Sequence, residues 1–350
     1  MNSLQTSPEH ATSMTALVQH SLRGPADLTL AELPCPTPGP HDYLIRVGAA
    51  GLNYADVSQS RGLYQGGPAA PYTAGFEAAG EIVGIGSGIA HPLPTGTHVV
   101  GTGAGAFAQY MLMPASSVHG VPQGWTDAAA LGLVLNWATA LAALRPLGEV
   151  QEGETVLVHA AAGGVGQAAV RLARHFGARV IATASPEKHD TVRQLGAGDV
   201  IDGRRPDLAE EVLHRVGRVD LVLESIGRST LRTSLTVARP FTGRVIVFGQ
   251  ASGPATVSTD DLIFTHHAQI KGLHIGALAT GAPQIYRAVI TEIYDLIARG
   301  VYPPGTPTVY PLADGPGVLA RLENGETVGK LALDPWIQHA SRAVGLTAEQ

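Results

Sequence analysis

The chain has 350 residues, 45% of them hydrophobic, with 43 glycines, a single cysteine and a formal net charge of −6. That length fits two domains of ordinary size, and the apolar content and glycine count fit an α/β protein with many tight turns. The acidic balance argues against nucleic acid or an anionic membrane as the main partner, and the lone Cys35 excludes a disulfide framework or a multi-cysteine zinc lobe. Residues 1–13 are polar, without the basic start and apolar centre of a signal peptide. They read as a disordered tail, with the folded part opening near Met14, and the expected location is cytoplasmic. From about 15 to 122, short β-like runs such as 43–47, 80–86 and 107–113 are broken by Gly and Pro, which predicts an irregular β-rich domain. The spacing turns helical over 127–147, with no apolar run read as approaching the roughly 18–20 residues of a membrane span. Strands are predicted at 155–160, 179–184, 199–202, 220–225 and 244–249, with a sixth near 269–275. Helical patterns separate them, so the fold class is α/β with a parallel, doubly wound (Rossmann) sheet. A helix over 285–300 and a strand ending at 330–333 close the chain, and no internal repeat or low-complexity segment is present.

The stretch 155–167 carries the clearest chemistry. A β-branched run leads into Ala161, Gly163, Gly164, Val165 and Gly166 and then into a helical pattern. This is the layout of a dinucleotide-binding βαβ unit, although Ala161 replaces the first glycine of the G-x-G-x-x-G pattern. Gly163 lets the backbone approach a pyrophosphate, Gly166 lets the helix lie against the strand, and the helix start offers free N–H groups. An NAD-selective site would place Asp or Glu at the end of the second strand, on the ribose 2′-OH. Here Ala184 and Ser185 stand there, followed by Pro186, Glu187 and Lys188. A hydroxyl and an ammonium in reach of a 2′-phosphate point to NADPH. Ser185 also reads as a helix N-cap with Pro186 at the first helical position.

With 49–57 (AAGLNYADV), 61–64 (RGLY), 75–82 (GFEAAGEI), 136–140 (NWATA), the glycine loop, 185–188 (SPEK), 243–249 (GRVIVFG) and 329–331 (GKL) in this order, the chain resembles the medium-chain dehydrogenase/reductase superfamily. Within it, it is similar to the zinc-free quinone oxidoreductases related to zeta-crystallin. The resemblance covers about 15 to 335. It implies a GroES-like β-rich substrate domain from 14–138 and 279–350, a Rossmann domain from 139–278, and an active site in the cleft between them. Zinc-dependent relatives place a His where this chain has Phe76, and a cysteine ligand in the stretch around 50–53, where none is found. A catalytic zinc needs three protein ligands. Cys35 lies in a Pro-rich loop and His266 and His267 are adjacent, so no metal site is expected.

Without a metal, the natural chemistry is hydride transfer to a quinone or to the β-carbon of an enone, a small-molecule substrate whose developing oxyanion needs a hydrogen bond and a proton. Tyr64 is the candidate donor, matching by resemblance a tyrosine that enoyl-type reductases place beside the substrate. Asn53 is the second catalytic candidate, as a residue that orients substrate or ties down the loop. Asp56 reads as a cap of the following helix and Glu77 as a structural acceptor. The cofactor-binding set comprises Thr139, Gly163, Gly164, Val165, Gly166, Ser185, Lys188, one of Arg204 and Arg205, Phe248, Gly249, Gln250, Ile275, Gly276 and Lys330. The resemblance also marks two departures: Gly203 replaces a tyrosine near the 2′-phosphate, and Ser58 replaces another past the Asn53 position. Relatives pair their last Rossmann strands, which implies a homodimer through an exposed edge at 269–275. Two other readings stay open, an enoyl-thioester reductase and a weakly catalytic nucleotide-sensing or RNA-binding protein.

Overall fold

The computed structural model describes residues 12–337. Of the expected tail, 1–11 lie outside them, whereas Ser13 already opens the first strand, Ser13–Gln19. This strand pairs antiparallel with Leu28–Pro34 and Tyr72–Thr73. Beside it lies a seven-stranded sheet ordered Thr308–Pro311, Leu331–Asp334, Asp42–Leu52, Glu77–Ile85, His98–Thr102 and Val118–Gly120, with Tyr110–Pro114 paired to Asp42–Leu52. Its strands come from both ends of the chain, as the GroES-like expectation requires. Leu17, Ile45, Val47, Ile82, Val99, Phe107 and Leu333 fill its interior with no exposed surface. Fully burying each such side chain contributes roughly 1.5–3 kcal/mol.

The second sheet has six parallel strands in the order Asp199–Ile201, Arg179–Thr183, Thr155–Val158, Leu221–Glu224, Arg244–Val247 and Gln269–Gly272. In chain order this is 3-2-1-4-5-6, the doubly wound arrangement whose switch point lies between the first and fourth strands. Leu221, Val222 and Leu223 are completely buried, the near-continuous apolar run of a sheet covered on both faces.

Two expectations change. The helical run Asp127–Leu147 is long and apolar enough, by composition, to cross a membrane, contrary to the sequence reading, and 78% of its most apolar window is buried inside the protein. A helix enclosed by core on nearly every side needs the same composition. In addition, helix Pro283–Ala298 packs through Val289, Ile290, Ile293 and Leu296 into the core shared by helices Ala138–Ala142 and Gly164–His175. The sequence reading gave 279–350 as a whole to the β-rich domain, but the chain rejoins that sheet only at Thr308–Pro311.

Candidate functional site

The glycine loop follows strand Thr155–Val158 through Ala160, which has φ of +49°. Gly163 is the N-cap of the helix Gly164–His175. A Cβ at Gly166 would lie 2.4 Å from the Ala160 carbonyl oxygen and 2.6 Å from the Ala161 Cα, so only glycine lets the helix rest on its own loop. At Gly163 an added Cβ would meet nothing nearer than the Ala160 oxygen at 3.4 Å. No protein atom therefore demands glycine there, and a Cβ at this position would meet open space apart from that oxygen. Gly329, from the β-rich end of the chain, donates its N–H to the Ala162 carbonyl (2.8 Å) and so ties this loop to the other domain.

A buried polar knot supports the crevice from below. Glu224 accepts from the backbone of Ile226 and Gly227 and from the hydroxyls of Thr230 and Ser234. His159 reaches Thr183 and Ser234, both at 3.1 Å. Burial disfavours the charged form of His159, with Glu224 opposing that effect. The knot joins the ends of the first, second and fourth strands, where a dinucleotide crosses such a sheet.

At the end of the second strand, Ser185 occupies the N-cap position of a short turn, Pro186–Lys188, with proline at its start, but its side chain makes no capping hydrogen bond. Its hydroxyl donates to the exposed Glu187 carboxylate. A carboxylate thus stands beside Ser185 after all, and the hydroxyl must exchange partners to meet a phosphate. Lys188 is 9% exposed and its ammonium donates to the Gly325 carbonyl. Burial lowers its pKa, Glu187 raises it, and the nearby Arg204 lowers it further. The two arginines differ in their partners. Arg205 is clamped by Asp207 through two bonds of 2.6 Å, with Glu211 at 3.5 Å. The Arg204 side chain is 73% exposed and its guanidinium lies 3.6 Å from Asp202, which also accepts the Arg204 backbone N–H at 3.0 Å.

The remaining cofactor candidates lie on later elements of the chain and on helix Ala138–Ala142. Phe248, Gly249 and Gln250 follow strand Arg244–Val247, with Phe248 N–H bonded to the Glu224 carbonyl at 2.9 Å. Ile275 and Gly276 do not end a strand: the sixth strand stops at Gly272, and they open helix Ile275–Gly281. Thr139 is buried within helix Ala138–Ala142.

Two candidates fall into a different setting from the one expected. Lys330 donates to Glu77 at 2.5 Å, to the Asn53 side-chain oxygen at 2.8 Å and to the Leu52 carbonyl at 3.2 Å, so its ammonium serves a buried carboxylate rather than the nucleotide crevice. Asn53 in turn donates to Glu77 (2.8 Å) and accepts from Asn136 (3.3 Å) as well as Lys330. Its amide is spent on tying the loop, one of its two expected roles. Glu77, with no exposed surface, also accepts the Gly132 N–H at 2.7 Å, as its reading as a structural acceptor requires. A buried carboxylate of this kind is tolerable only when paired and fully hydrogen-bonded.

Asn53 is the N-cap of helix Tyr54–Ser60, and Asp56, three residues on, takes the cap role read from the sequence by completing the capping box, accepting the Asn53 N–H at 2.8 Å. Its other oxygen is buried without a partner. Burial pushes the Asp56 pKa up to about 8; the Asn53 N–H and Lys330 pull it down and Glu77 adds to the rise. A carboxyl raised in the folded state stabilises the protein fully below its ordinary value of 3.8, and that contribution is lost as pH rises toward about 8. Asp56→Asn keeps an acceptor for Asn53, so its urea midpoint should change less between pH 5 and pH 8 than that of the wild type. Parallel pH dependences in the two proteins would show that Asp56 does not titrate in this window.

Tyr64 comes from the loop after that helix and is half-buried. Its hydroxyl lies 2.6 Å from His274 Nε2, on the nucleotide-binding side of the cleft. Tyr54 makes a second crossing, donating to the Ala251 carbonyl at 2.8 Å. Burial, and secondarily Asp56, raise the Tyr64 pKa, so the phenol keeps its proton near neutrality. The sequence reading missed His274, Tyr54 and Asn136. The sequence reading placed His274 inside the strand expected at 269–275, whereas that strand ends at Gly272 and His274 opens the next helix. Among the described residues, no group of three or more His, Cys, Asp or Glu comes together that could hold a metal ion.

Comparison with known proteins agrees with this architecture. Residues 39–123 match the family described as alcohol dehydrogenase GroES-like domain, and 164–294 that described as zinc-binding dehydrogenase. The chain is 30% identical to the human synaptic vesicle membrane protein VAT-1 homolog, across 86% of this chain and 80% of that protein. It is 32% identical, across 96% of its own length, to a mycocerosic acid synthase-like polyketide synthase of Mycobacterium tuberculosis, of which it spans only 16%. The Escherichia coli quinone oxidoreductase, solved in complex with NADPH, superposes with a TM-score of 0.85 at 29% identity, covering 92% of this chain and 100% of that one. The chain belongs to the medium-chain dehydrogenase/reductase superfamily of oxidoreductases, in its quinone oxidoreductase family.

Proposed function

We propose that the protein is an NADPH-dependent reductase of quinones or α,β-unsaturated carbonyls that works without a metal. The observation that carries the reading is the cationic corner formed by Lys188 and Arg204 at the end of the second strand, on the same crevice as the glycine loop. The residues present fit the cofactor: the space at Gly163 is open and the helix start behind it offers N–H donors to a pyrophosphate. Ser185, Lys188 and Arg204 take the 2′-phosphate, and Gly163, Gly164, Val165 and Gly166 the pyrophosphate. Thr139, Phe248, Gly249, Gln250, Ile275 and Gly276 line the remainder. When bound, NADPH supplies the hydride. Tyr64 hydrogen-bonds the oxygen of the acceptor and gives up a proton as negative charge develops there. Lys330 and Asn53, joined through Glu77, anchor the start of helix Tyr54–Ser60, which leads into the loop of Tyr64.

The E. coli relative, complexed with NADPH, supports the cofactor. The match to a polyketide synthase across nearly the whole chain keeps an enoyl-thioester acceptor as the second reading. We further propose a homodimer, because Gln269–Gly272 is an edge strand of the six, paired only with Arg244–Val247 among the described residues. NADPH oxidation measured side by side with 1,4-benzoquinone, a 2-alkenal and crotonyl-CoA tests the substrate class. Turnover of the first two is expected, and a marked preference for crotonyl-CoA would replace this reading by the thioester one.

Phe76 and the cysteine-free stretch at 50–53 remove the ligands a catalytic zinc would use. Extended dialysis against a strong chelator should therefore leave the turnover number unchanged. A loss of activity restored specifically by zinc would contradict the assignment.

A further inference from the structure

His274 opens helix Ile275–Gly281, and its Nδ1 accepts the backbone N–H of Ala277 at 2.9 Å. A backbone N–H can only donate, so Nδ1 must present its lone pair, and the neutral imidazole carries its proton on Nε2. Nε2 is the atom that faces the Tyr64 hydroxyl at 2.6 Å. The direction of that bond follows: His274 donates and the phenol oxygen accepts. The phenol's own hydrogen is then not spent on His274 and turns to a different partner. The two side chains are 210 residues apart and stand on opposite sides of the cleft. Their rings meet at 5.9 Å and 54°, a tilted contact that holds the phenol at a fixed angle.

We propose that His274 is a positioning residue for Tyr64: by donating from Nε2 it aims the tyrosine proton at the acceptor oxygen and stabilises the phenolate left once that proton has moved. This rests on the reading of Tyr64 as proton donor. The step balances as follows. The acceptor gains a hydride from the reduced nicotinamide and one proton from Tyr64, which completes a two-electron reduction. The Tyr64 O–H bond breaks, and the phenolate regains a proton from solvent, to which His274 is exposed. His274 keeps its own proton throughout.

Two substitutions separate the two bonds that His274 makes. His274→Asn retains an acceptor for Ala277 but has no donor long enough to reach Tyr64; His274→Gln retains a donor at the Nε2 position but gives up the helix cap. For a 2-alkenal, His274→Asn should lower kcat roughly tenfold, the worth of one such hydrogen bond, with the KM for NADPH unchanged. His274→Gln should recover part of that loss. In a Tyr64→Phe background, His274→Asn should cost nothing further, because its effect passes through the phenol. The 15N chemical shifts of the His274 ring in the wild type should show Nε2 as the protonated nitrogen and Nδ1 as the bare one. A proton on Nδ1, or a wild-type kcat in His274→Asn alongside a slow Tyr64→Phe, would overturn the role of His274 alone. A Tyr64→Phe enzyme as fast as wild type would overturn the donor reading and this inference with it.

Discussion

Replacing Tyr64 by Phe is expected to lower kcat for an enone by about 10²–10⁴-fold, the usual worth of a positioned general acid, while NADPH affinity stays the same. Hydride addition to the β-carbon leaves a basic enolate, whose charge must be met as it forms. The Tyr64 phenol is half-buried, keeps its proton near neutrality, and reaches the cleft from a loop anchored on the other side by His274. A quinone acceptor should lose less, since a reduced quinone oxygen is far less basic than an enolate and can be protonated by water. The ratio of the two losses in one variant cancels any general damage to folding or cofactor binding. Equal and small losses on both acceptors would leave Tyr64 as a lining residue only.

The next largest effect is expected at Lys188. Lys188→Ala should weaken NADPH binding by roughly 10–150-fold, the equivalent of one charge-assisted hydrogen bond of about 1.5–3 kcal/mol, and leave NADH nearly unchanged. The ammonium is tied to the Gly325 carbonyl, with Glu187 raising its pKa and Arg204 lowering it. A doubly charged phosphate at this corner would give the ammonium a charge-assisted partner, and a bare ribose hydroxyl would not. Arg204→Ala should act in the same direction. Equal losses for both nucleotides would mean that Lys188 acts through its tie to Gly325, as a structural link between the segments.

The features legible in the sequence were the local ones. Six strands and the order of their helices follow from hydrophobic runs and the turn residues between them, and the packing need for Gly166 follows from its place in one loop. The helical run Asp127–Leu147 was underestimated because Asn136, Thr139 and Arg145 interrupt its apolar residues, although the core tolerates each of them: Asn136 bonds Asn53, Thr139 is buried, and Arg145 lies over the Phe176 ring. Contacts between distant segments were not legible. Lys330 meets Glu77 across 253 residues and Tyr64 meets His274 across 210, so neither pairing leaves a periodic signal. The sequence reading put Lys330 in the cofactor-binding set, and the structure places its ammonium on Glu77, a fully buried carboxylate that needs a paired charge. The pairing of the Arg205 guanidinium with the Asp207 carboxylate two residues on was likewise not read from the sequence.

The most direct test of metal-free reduction of an activated acceptor follows the hydride itself. Chelator-treated protein would be given NADPH carrying deuterium at the transferable C4 position, with a 2-alkenal and, separately, 1,4-benzoquinone. The expected result is one NADPH consumed per acceptor reduced in both reactions, with deuterium on the β-carbon of the saturated aldehyde. Deuterium on the carbonyl carbon, giving an allylic alcohol, or no NADPH consumption with either acceptor, would contradict it.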